Sequence, residues 1–387
     1  MGQGEVTDGT SQPGCRIVTT ALRLVADDLT GALDTAAEFV GMTGPVHAFW
    51  HGAIPSILPP NAALDSGTRE LDAVSAATIV TTLAPALAEA DIPFKKIDSL
   101  MRGPTLAEIA ACLRFGKWER AVLAPAFPYQ GRATRGGVQH ARDPQGHWSA
   151  VGGDIVASLR TQGVPAQTGR FGMPLPPGIS VFDAETDADL DNAAAVGRAA
   201  SGSVLWIGTG GLAQALARCS PAQATTPLPL PLLGLFGSDQ AVTAGQLAAC
   251  GADWVRLRDG GPAEAASIAA RLRSNGRALV SLDLPQGLAR AEAARRIGTE
   301  LHRLVQALPP PGTLLVAGGE TLRGLCLSLG ARSLAVQGRI VPGLPRSILR
   351  GGAWDCVTVV SKSGAFGYPT LLRDLLDGSP LITERTV

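Results

Sequence analysis

The sequence predicts an α/β protein of two domains, each with a mostly parallel sheet flanked by helices. Short β-rich apolar runs alternate with Ala- and Leu-rich segments of helical period, which is typical of βαβ units. The 387 residues suit two or three domains of about 100 to 200 residues each, and we favour two. Between Cys219 and Pro231, the stretch CSPAQATTPLPLP is proline-rich and lacks hydrophobic periodicity, as expected of a linker. We therefore predict an N-terminal domain over residues 17–225, a C-terminal domain over 226–387, and an active site in the cleft between them.

Each predicted strand is followed by a predicted helix. In the first half these pairs are ALRLVA with GALDTAAEFV, PFKKI with TLAEIAACLRF, and SVLWIG with GLAQALARC. The second half starts the pattern again with the strands LLGLFG, RALVSLDL, TLLVAGG and DCVTVVSKSG. Helices are predicted there over TLRGLCLSLGA and YPTLLRDLLDG. The polar, glycine-rich residues 1–16 are expected to form a disordered leader.

The composition argues against several classes of function. Basic and acidic residues number 33 each, so no net field attracts nucleic acid or an anionic membrane surface. No apolar stretch reaches the roughly 18 residues needed to span a bilayer. The six cysteines are scattered without a CxxC pair, which predicts reduced thiols and no metal-binding residues. We expect a cytoplasmic protein.

Charged side chains follow several strands of the first half. Because parallel strands deliver their carboxyl ends to one edge of the sheet, we expect these side chains to converge. Asp27, Asp28 and Asp98 are the candidate catalytic residues, of which one would accept a proton. The candidate substrate-binding residues are Arg69, Lys96, Ser99, Arg102 and Arg132. Arg102 or Arg69 would clamp a carboxylate with two hydrogen bonds, so the edge predicts a small, anionic, hydroxylated substrate.

Each of these residues also has a purely structural interpretation. Asp28 is suited to capping the helix that follows it. Lys96, Asp98 and Arg102 have the charges of a solvated ion-pair cluster, which is a common arrangement at a protein surface. The adjacent Asp27 and Asp28 point to opposite sides of an extended chain, so one of them is expected to reach the substrate. The sequence does not say which.

Three glycine-rich junctions between strand and helix mark the second half. They span Gly237 to Thr243, Gly318 to Gly324 and Ser361 to Gly367. Small residues let backbone N–H groups approach oxyanions, and the following helix N-terminus favours negative charge, so these loops predict a nucleotide. The P-loop pattern GxxxxGK[ST] is absent from the sequence. The alternative is that the loops are tight turns of a large α/β domain.

A dinucleotide fingerprint gives a competing reading. In GTGGLA, residues Gly208, Gly210 and Ala213 satisfy GxGxxG/A after a predicted strand. No carboxylate lies between Gly208 and Asp239, where the ribose-binding acid is expected. We interpret this stretch as a turn, and a NAD-linked oxidoreductase built on Gly208 to Ala213 remains one alternative. A non-catalytic sugar-acid-binding protein is the other.

Six motifs together resemble those of the four-carbon acid sugar kinases: VADDLTGALD, KKIDSLMRG, APAFPYQGRATRGGV, FGSDQAVT, AGGET and KSGAFG. The resemblance runs in order from about residue 22 to residue 370. It implies a two-domain α/β enzyme that transfers the γ-phosphate of ATP, with Mg²⁺, to a hydroxyl of an acid such as threonate, erythronate or an oxo-tetronate. The sugar acid and ATP are then the partners, and homodimerisation is left open.

The resemblance also implies which residues bind each substrate. Asp27, Asp28, Asp98, Ser99, Arg102 and Arg132 fall in the motifs for the acid. The nucleotide-binding candidates are Ser238, Gly318, Gly319, Glu320, Thr321, Gly364 and Gly367. Two positions depart from the family pattern, because Leu100 stands where a hydroxyl residue is expected and FGSDQ replaces a loop richer in serine.

Overall fold

A computed structural model of the protein describes residues 20–115, 118–143, 145–218, 227–237, 240–285 and 287–382. The predicted leader 1–16, the predicted domain limit at 225 and the candidate residue Ser238 lie outside these ranges. The leader and the domain limit therefore stay predictions, and nothing further is inferred about Ser238.

The strands alternate with helices along most of the described chain, as the periodicity predicts. The strands are β1 (Leu22–Ala26), β2 (Val46–Trp50), β3 (Ala62–Asp65), β4 (Ile92–Lys96), β5 (Arg120–Ala124), β6 (Arg132–Arg135), β7 (Val138–Arg142), β8 (Trp148–Val151), β9 (Ala166–Thr168), β10 (Gly178–Val181), β11 (Val204–Gly208), β12 (Leu232–Phe236), β13 (Trp254–Leu257), β14 (Arg277–Leu282), β15 (Thr313–Ala317), β16 (Ser333–Val341), β17 (Leu344–Arg350) and β18 (Thr358–Lys362). The helices are α1 (Leu29–Thr43), α2 (Ala73–Leu87), α3 (Thr105–Arg114), α4 (Ile155–Thr161), α5 (Asp187–Arg198), α6 (Gly210–Ala217), α7 (Ala241–Ala249), α8 (Pro262–Asn275), α9 (Arg290–Ala307), α10 (Gly319–Ser328) and α11 (Leu371–Asp377). Two 3₁₀ turns lie at Pro128–Gln130 and Gly251–Asp253.

The main sheet consists of two parallel sets of strands joined edge to edge. One set, in the order β2-β3-β1-β4-β11-β5-β10-β9, comes from the first half of the chain. The other set, β13-β14-β12-β15-β18, comes from the second half. The antiparallel hairpin β16–β17 joins them, because β17 pairs with β18 and β16 pairs antiparallel with β2. The sequence reading predicts both parallel sets but not this hairpin.

Parallel strands covered by helices on both faces read as continuous apolar runs, and these strands do so. The strand LRLVA of β1 is buried at every position, as is TLLVA of β15. Asp28 ends the buried run after β1 and begins α1, because its carboxylate accepts a hydrogen bond from the Gly31 N–H. Local capping thus fixes where the first candidate residues leave the sheet.

A smaller antiparallel sheet, β6-β7-β8, follows β5 and carries the stretch that contains Arg132. The backbone of Thr134 is hydrogen-bonded to the backbone of Ala184, which ties the small sheet to the segment that follows β10. No helix in the described part of the chain is both long and apolar enough to cross a bilayer.

Candidate active site

Arg69 joins the three candidate aspartates of the first half. It lies in the loop after β3, and its Nε is 2.7 Å from Asp27 Oδ2. Its Nη1 is 2.5 Å from Asp28 Oδ2, and its Nη2 is 3.5 Å from Asp98 Oδ1. The convergence predicted from parallel strands is therefore present in the structure, with a guanidinium at its centre. The carboxylates also raise the pKa of Arg69 above its usual value despite burial, so this side chain stays charged.

A buried polar network beneath the site holds the Arg69 loop in place. Lys95 is fully buried and its Nζ is 2.6 Å from Glu108 Oε2. Thr68 Oγ1 donates to Glu108 Oε1 at 2.7 Å, and Ser66 Oγ donates to the Ala26 carbonyl of β1. Breaking a buried pair of this kind typically costs about 3 to 5 kcal/mol, so the network fixes the loop firmly.

Asp98 organises the loop after β4. Its two oxygens accept from Nε and Nη2 of Arg102 at 2.9 and 2.7 Å, and Oδ2 also accepts from the N–H of Leu100. Burial opposes the charge of Asp98, but the bonds from Arg102 and the charge of Arg69 hold its pKa well below its usual range. The fork expected to clamp a substrate carboxylate is thus bonded to Asp98. The Arg102 side chain is nevertheless 58% exposed.

Asp27 and Asp28 differ in how their oxygens are used. Both oxygens of Asp28 accept hydrogen bonds. Oδ1 accepts from the Gly31 N–H at 2.8 Å and so caps α1, and Oδ2 accepts from Arg69. Asp27 is 3% exposed, and its Oδ1 is buried without a hydrogen-bond partner. Burial disfavours the Asp27 charge, yet Arg69 and Lys96 outweigh it and hold the pKa below the usual value. For Asp28, burial and the neighbouring Asp27 charge raise the pKa.

The remaining candidates of the first half surround this centre. Lys96 is 6% exposed and its Nζ donates to the Ile97 carbonyl at 2.7 Å. The backbone carbonyl of Ser99 accepts from Gln139 Nε2 at 2.9 Å, which ties the loop after β4 to β7. Arg132 donates to the carbonyls of Gln130 and Gly131 in its own loop.

The loop before α10 meets the loop after β1. Gly318 has φ 101°, a conformation that favours glycine, and it lies just ahead of the helix N-terminus. A Cβ at Gly319 would lie 2.8 Å from Thr30 Oγ1 and 3.5 Å from Asp28 Oδ2. Only a glycine at 319 allows this approach, so the candidate phosphate loop directly faces the candidate catalytic aspartates.

The other nucleotide candidates lie beside this loop. Glu320 is exposed at the start of α10. Thr321 Oγ1 would lie 2.6 Å from a Cβ at Gly237, which brings the loops after β12 and β15 together. The Gly364 carbonyl accepts from Thr243 Oγ1 at 2.6 Å, and Gly367 has φ 100°. The three glycine-rich junctions thus form one region of the second half.

Two further contacts cross between the halves. The rings of Tyr129 and Phe366 have centroids 6.4 Å apart, so the loop after β18 contacts the loop after β5. On the other side, Arg339 of β16 pairs with Glu38 of α1 at 2.5 Å. Burial raises the pKa of Glu38 to about 7 against the attraction of Arg339.

Several residues of the site are not among the candidates chosen from the sequence. Asp65 ends β3, is 1% exposed, and has its pKa raised to about 7 by burial and the Asp28 charge. Arg323 of α10 reaches the same loop, since its Nη1 would be 3.2 Å from a Cβ at Gly67. Asp65 could have been selected by the rule used for Asp27, because it also follows a buried strand. Arg323 carries no such local signal.

The glycines of the dinucleotide fingerprint are packed against protein. Gly208 and Gly210 are buried, as is the neighbouring Gly211, where a Cβ would lie 2.7 Å from the Ala126 carbonyl. A Cβ at Gly210 would meet the Phe127 ring at 2.9 Å. These glycines allow α6 to pack closely on the chain after β5, which favours the turn over a dinucleotide site.

Comparison with known proteins assigns a different domain model to each half of the chain. Residues 22–166 match the model of a sugar-binding N-terminal domain, and residues 199–372 match that of a nucleotide-binding C-terminal domain. The chain therefore combines a half that matches a sugar-binding domain with a half that matches a nucleotide-binding domain. The chain belongs to the four-carbon acid sugar kinase family.

Relatives with kinase names match nearly the whole chain. The D-threonate kinase of Bordetella bronchiseptica is 30% identical over 385 residues, which are 90% of this chain and 95% of that protein. The D-threonate kinase of Cupriavidus necator is 29% identical, with coverage of 90% and 95%. The D-erythronate kinase of Heliobacterium modesticaldum is 27% identical, with coverage of 89% and 93%.

Solved structures share the fold. A Salmonella typhimurium protein superimposes with a TM-score of 0.67 at 20% identity, covering 90% of this chain and 97% of that one. A Haemophilus influenzae protein gives a TM-score of 0.64 at 17% identity, with coverage of 92% and 99%. The α/β architecture predicted from the sequence is confirmed.

Proposed function

We propose that this protein is an ATP-dependent kinase that phosphorylates a hydroxyl of a four-carbon sugar acid of the threonate or erythronate type. The observation that carries the proposal is the approach of Gly319, in the candidate phosphate loop, to Asp28 and Thr30 of the candidate acid site. Phosphoryl transfer requires donor and acceptor side by side, and this geometry supports such an arrangement.

Asp27 is the proposed proton acceptor. Its Oδ1 is buried without a hydrogen-bond partner, and a substrate hydroxyl is a suitable donor to it. The hydroxyl oxygen attacks the γ-phosphorus, the bond from that phosphorus to the bridging oxygen of ADP breaks, and the hydroxyl proton passes to Asp27. The lowered pKa of Asp27 suits a loose transition state, in which the hydroxyl proton is lost late.

The cations of the site divide between acid binding and positioning. Arg69 holds Asp27 and Asp28, so its role is to orient the carboxylates. Arg102 has an exposed guanidinium edge beside Asp98, and we propose that this edge meets the carboxylate of the acid. The Lys96 charge helps to lower the pKa of Asp27 and opposes the rise in the pKa of Asp28, so it balances negative charge there.

Mg²⁺ is expected to enter with ATP. Among the described residues, no group of three or more His, Cys, Asp or Glu side chains is arranged to hold a metal ion. The exposed carboxylate of Glu320, at the start of α10 beside the candidate phosphate loop, would offer the ion an oxygen ligand. The ion would neutralise charge on those phosphates.

A coupled assay of ADP release over four- and five-carbon sugar acids tests the proposal. We expect turnover with ATP and a four-carbon acid, and little with five-carbon acids. NADH titration serves as the control, because fluorescence-detected NADH binding without ATP turnover would favour the oxidoreductase reading. Binding of an acid without ADP release in the presence of ATP and Mg²⁺ would favour a binding protein.

A further inference from the structure

Lys362 is a buried lysine that the proposed mechanism does not use. It ends β18, directly before the loop Ser363–Gly367, and its side chain is 0% exposed. Its Nζ donates to Thr243 Oγ1 at 3.0 Å and to the carbonyls of Ser363 at 3.0 Å and Phe366 at 3.2 Å. All three ammonium hydrogens are therefore satisfied, and every acceptor is a neutral oxygen.

Lys362 differs from Lys95, the other fully buried lysine described above, in its charged partners. Both side chains are 0% exposed, but Lys95 has Glu108 at 2.6 Å, and its pKa is raised despite burial. No carboxylate of the described residues pairs with Lys362, and burial lowers its pKa to about 7. An ammonium buried without an anion is costly, so this position is explained best by an anion that arrives as a ligand.

The hydrogen bonds made by Lys362 also set the direction of the loop. In a planar trans peptide, the carbonyl of one residue and the N–H of the next point in opposite directions. The Ser363 and Phe366 carbonyls face Lys362, and the Gly364 carbonyl faces Thr243 Oγ1. The N–H groups of Gly364 and Gly367 are therefore turned away from Lys362, and that of Ala365 is turned away from Thr243. Backbone N–H groups that point out of one side of a loop are suited to binding an anion.

We propose that Lys362 is the positioning residue of the nucleotide site: it holds the loop Ser363–Gly367 with its N–H groups outward and supplies the positive charge behind the bound phosphates. This inference rests on the proposed nucleotide-binding role of the second half. It also predicts that nucleotide binding takes up a proton, because a nearby anion stabilises the charged form of the lysine.

Titration calorimetry with ATP on the full chain tests this. At pH 8, in buffers of different ionisation enthalpy, the wild-type protein should take up a fraction of a proton on binding, since free Lys362 is then mostly neutral. Its affinity should fall between pH 7.5 and 9, approaching tenfold per pH unit. The nucleotide phosphate is already ionised in this range, with its last pKa at roughly 6 to 7.

Three variants separate charge from packing. Lys362→Met should weaken ATP binding about tenfold or more at pH 7, abolish the proton uptake, and leave sugar-acid binding unchanged. Thr243→Val removes one hydrogen-bond partner of Lys362 but keeps the lysine itself. It should therefore weaken binding less and retain the proton uptake. Arg295→Met is the matched control, because it removes one positive charge from the same half at a side chain that is 73% exposed. It should bind ATP as the wild type does.

The outcomes discriminate between this inference and the proposed function. A folded Lys362→Met that binds ATP with wild-type affinity and wild-type proton uptake would overturn the inference alone. Should that variant fail to fold, flat affinity and zero proton uptake in both the wild type and Thr243→Val would overturn it instead. A wild-type chain that binds neither ATP, ADP nor inorganic triphosphate would overturn both.

Discussion

Replacing Asp27 by Asn tests the assignment of the proton acceptor. The substitution keeps the size of the side chain and leaves one oxygen to accept from Arg69 Nε, which is now 2.7 Å from Asp27 Oδ2. It removes the charge and the basicity of Oδ1, the buried oxygen without a partner. We expect kcat to fall about 10²- to 10⁴-fold, as is typical when a positioned acid or base is lost.

The expected loss of stability is much smaller than the loss of rate. The rate decrease corresponds to about 3 to 5 kcal/mol in the activation free energy. Arg69 keeps Asp28 at 2.5 Å and Asp98 at 3.5 Å as ionic partners. Its charge is therefore not left uncompensated, and we expect a folding cost of about 1 to 2 kcal/mol, below the 3 to 5 of a fully broken buried pair.

Steady-state kinetics with a thermal melt on each variant decides the question. Asp72→Asn is the matched control, because Asp72 caps α2 at an exposed position and its carboxylate bonds to Val74 and Ser75 of that helix. It should keep full kcat and lose at most about 1 kcal/mol of stability. If Asp27→Asn keeps kcat within threefold of the wild type while melting early, Asp27 is a structural partner of Arg69 and the proposed mechanism is wrong.

Three further changes probe the contacts between the halves. Gly319→Ala places a Cβ 2.8 Å from Thr30 Oγ1, so kcat/KM for ATP should fall about tenfold. Gly324→Ala is its control, since nothing lies within 4 Å there, and equal kinetics in the two variants would contradict the steric argument. Phe366→Leu removes the aromatic contact across the cleft, so the mutual enhancement of ATP and acid binding, measured by calorimetry, should drop about 2- to 10-fold; unchanged enhancement would refute the coupling. Glu38 has a pKa of about 7 in the folded protein, against 4.5 for an unperturbed glutamate, so the folded protein binds its proton more tightly than the unfolded chain does. The free energy of unfolding should therefore decrease by up to about 3 kcal/mol as the pH rises from 4.5 through 7. Urea melts of Glu38→Gln should show a flatter pH dependence, and an identical slope would exclude Glu38.

Local periodicity predicted seven of the eighteen strands and five of the eleven α-helices in the described part of the chain. The run LRLVADDLTGALD contains a buried strand, a capping aspartate and a helix, and β1 and α1 follow in that order. The sequence does not predict the hairpin β16–β17, because its place in the sheet depends on tertiary contacts. Its strands SLAVQGRIV and LPRSILR have ordinary β character, but the pairing of β16 with β2 joins residues almost 300 positions apart.

The site could be predicted in composition but not in pairing. The carboxyl-edge rule locates Asp27, Asp28, Arg69 and Asp98 together, and the structure joins them through Arg69. The rule does not say which oxygens are already used. The sequence offered the α1 cap as one role for Asp28, but only the structure indicates that Arg69 takes the other Asp28 oxygen and that Arg102 is bonded to Asp98.

The charge balance of the acid site explains how a sugar acid could enter it. Asp27, Asp28 and Asp98 face Arg69, Arg102 and Lys96, so three negative side chains meet three positive ones. A substrate carboxylate adds a fourth negative charge and needs a cation whose hydrogen bonds are not all committed to buried partners. Arg69 is 16% exposed and has all three aspartates as partners, whereas Arg102 is 58% exposed and pairs with Asp98 alone. The carboxylate is therefore expected at the outer edge of Arg102, which leaves the buried Oδ1 of Asp27 to the hydroxyl that receives the phosphate.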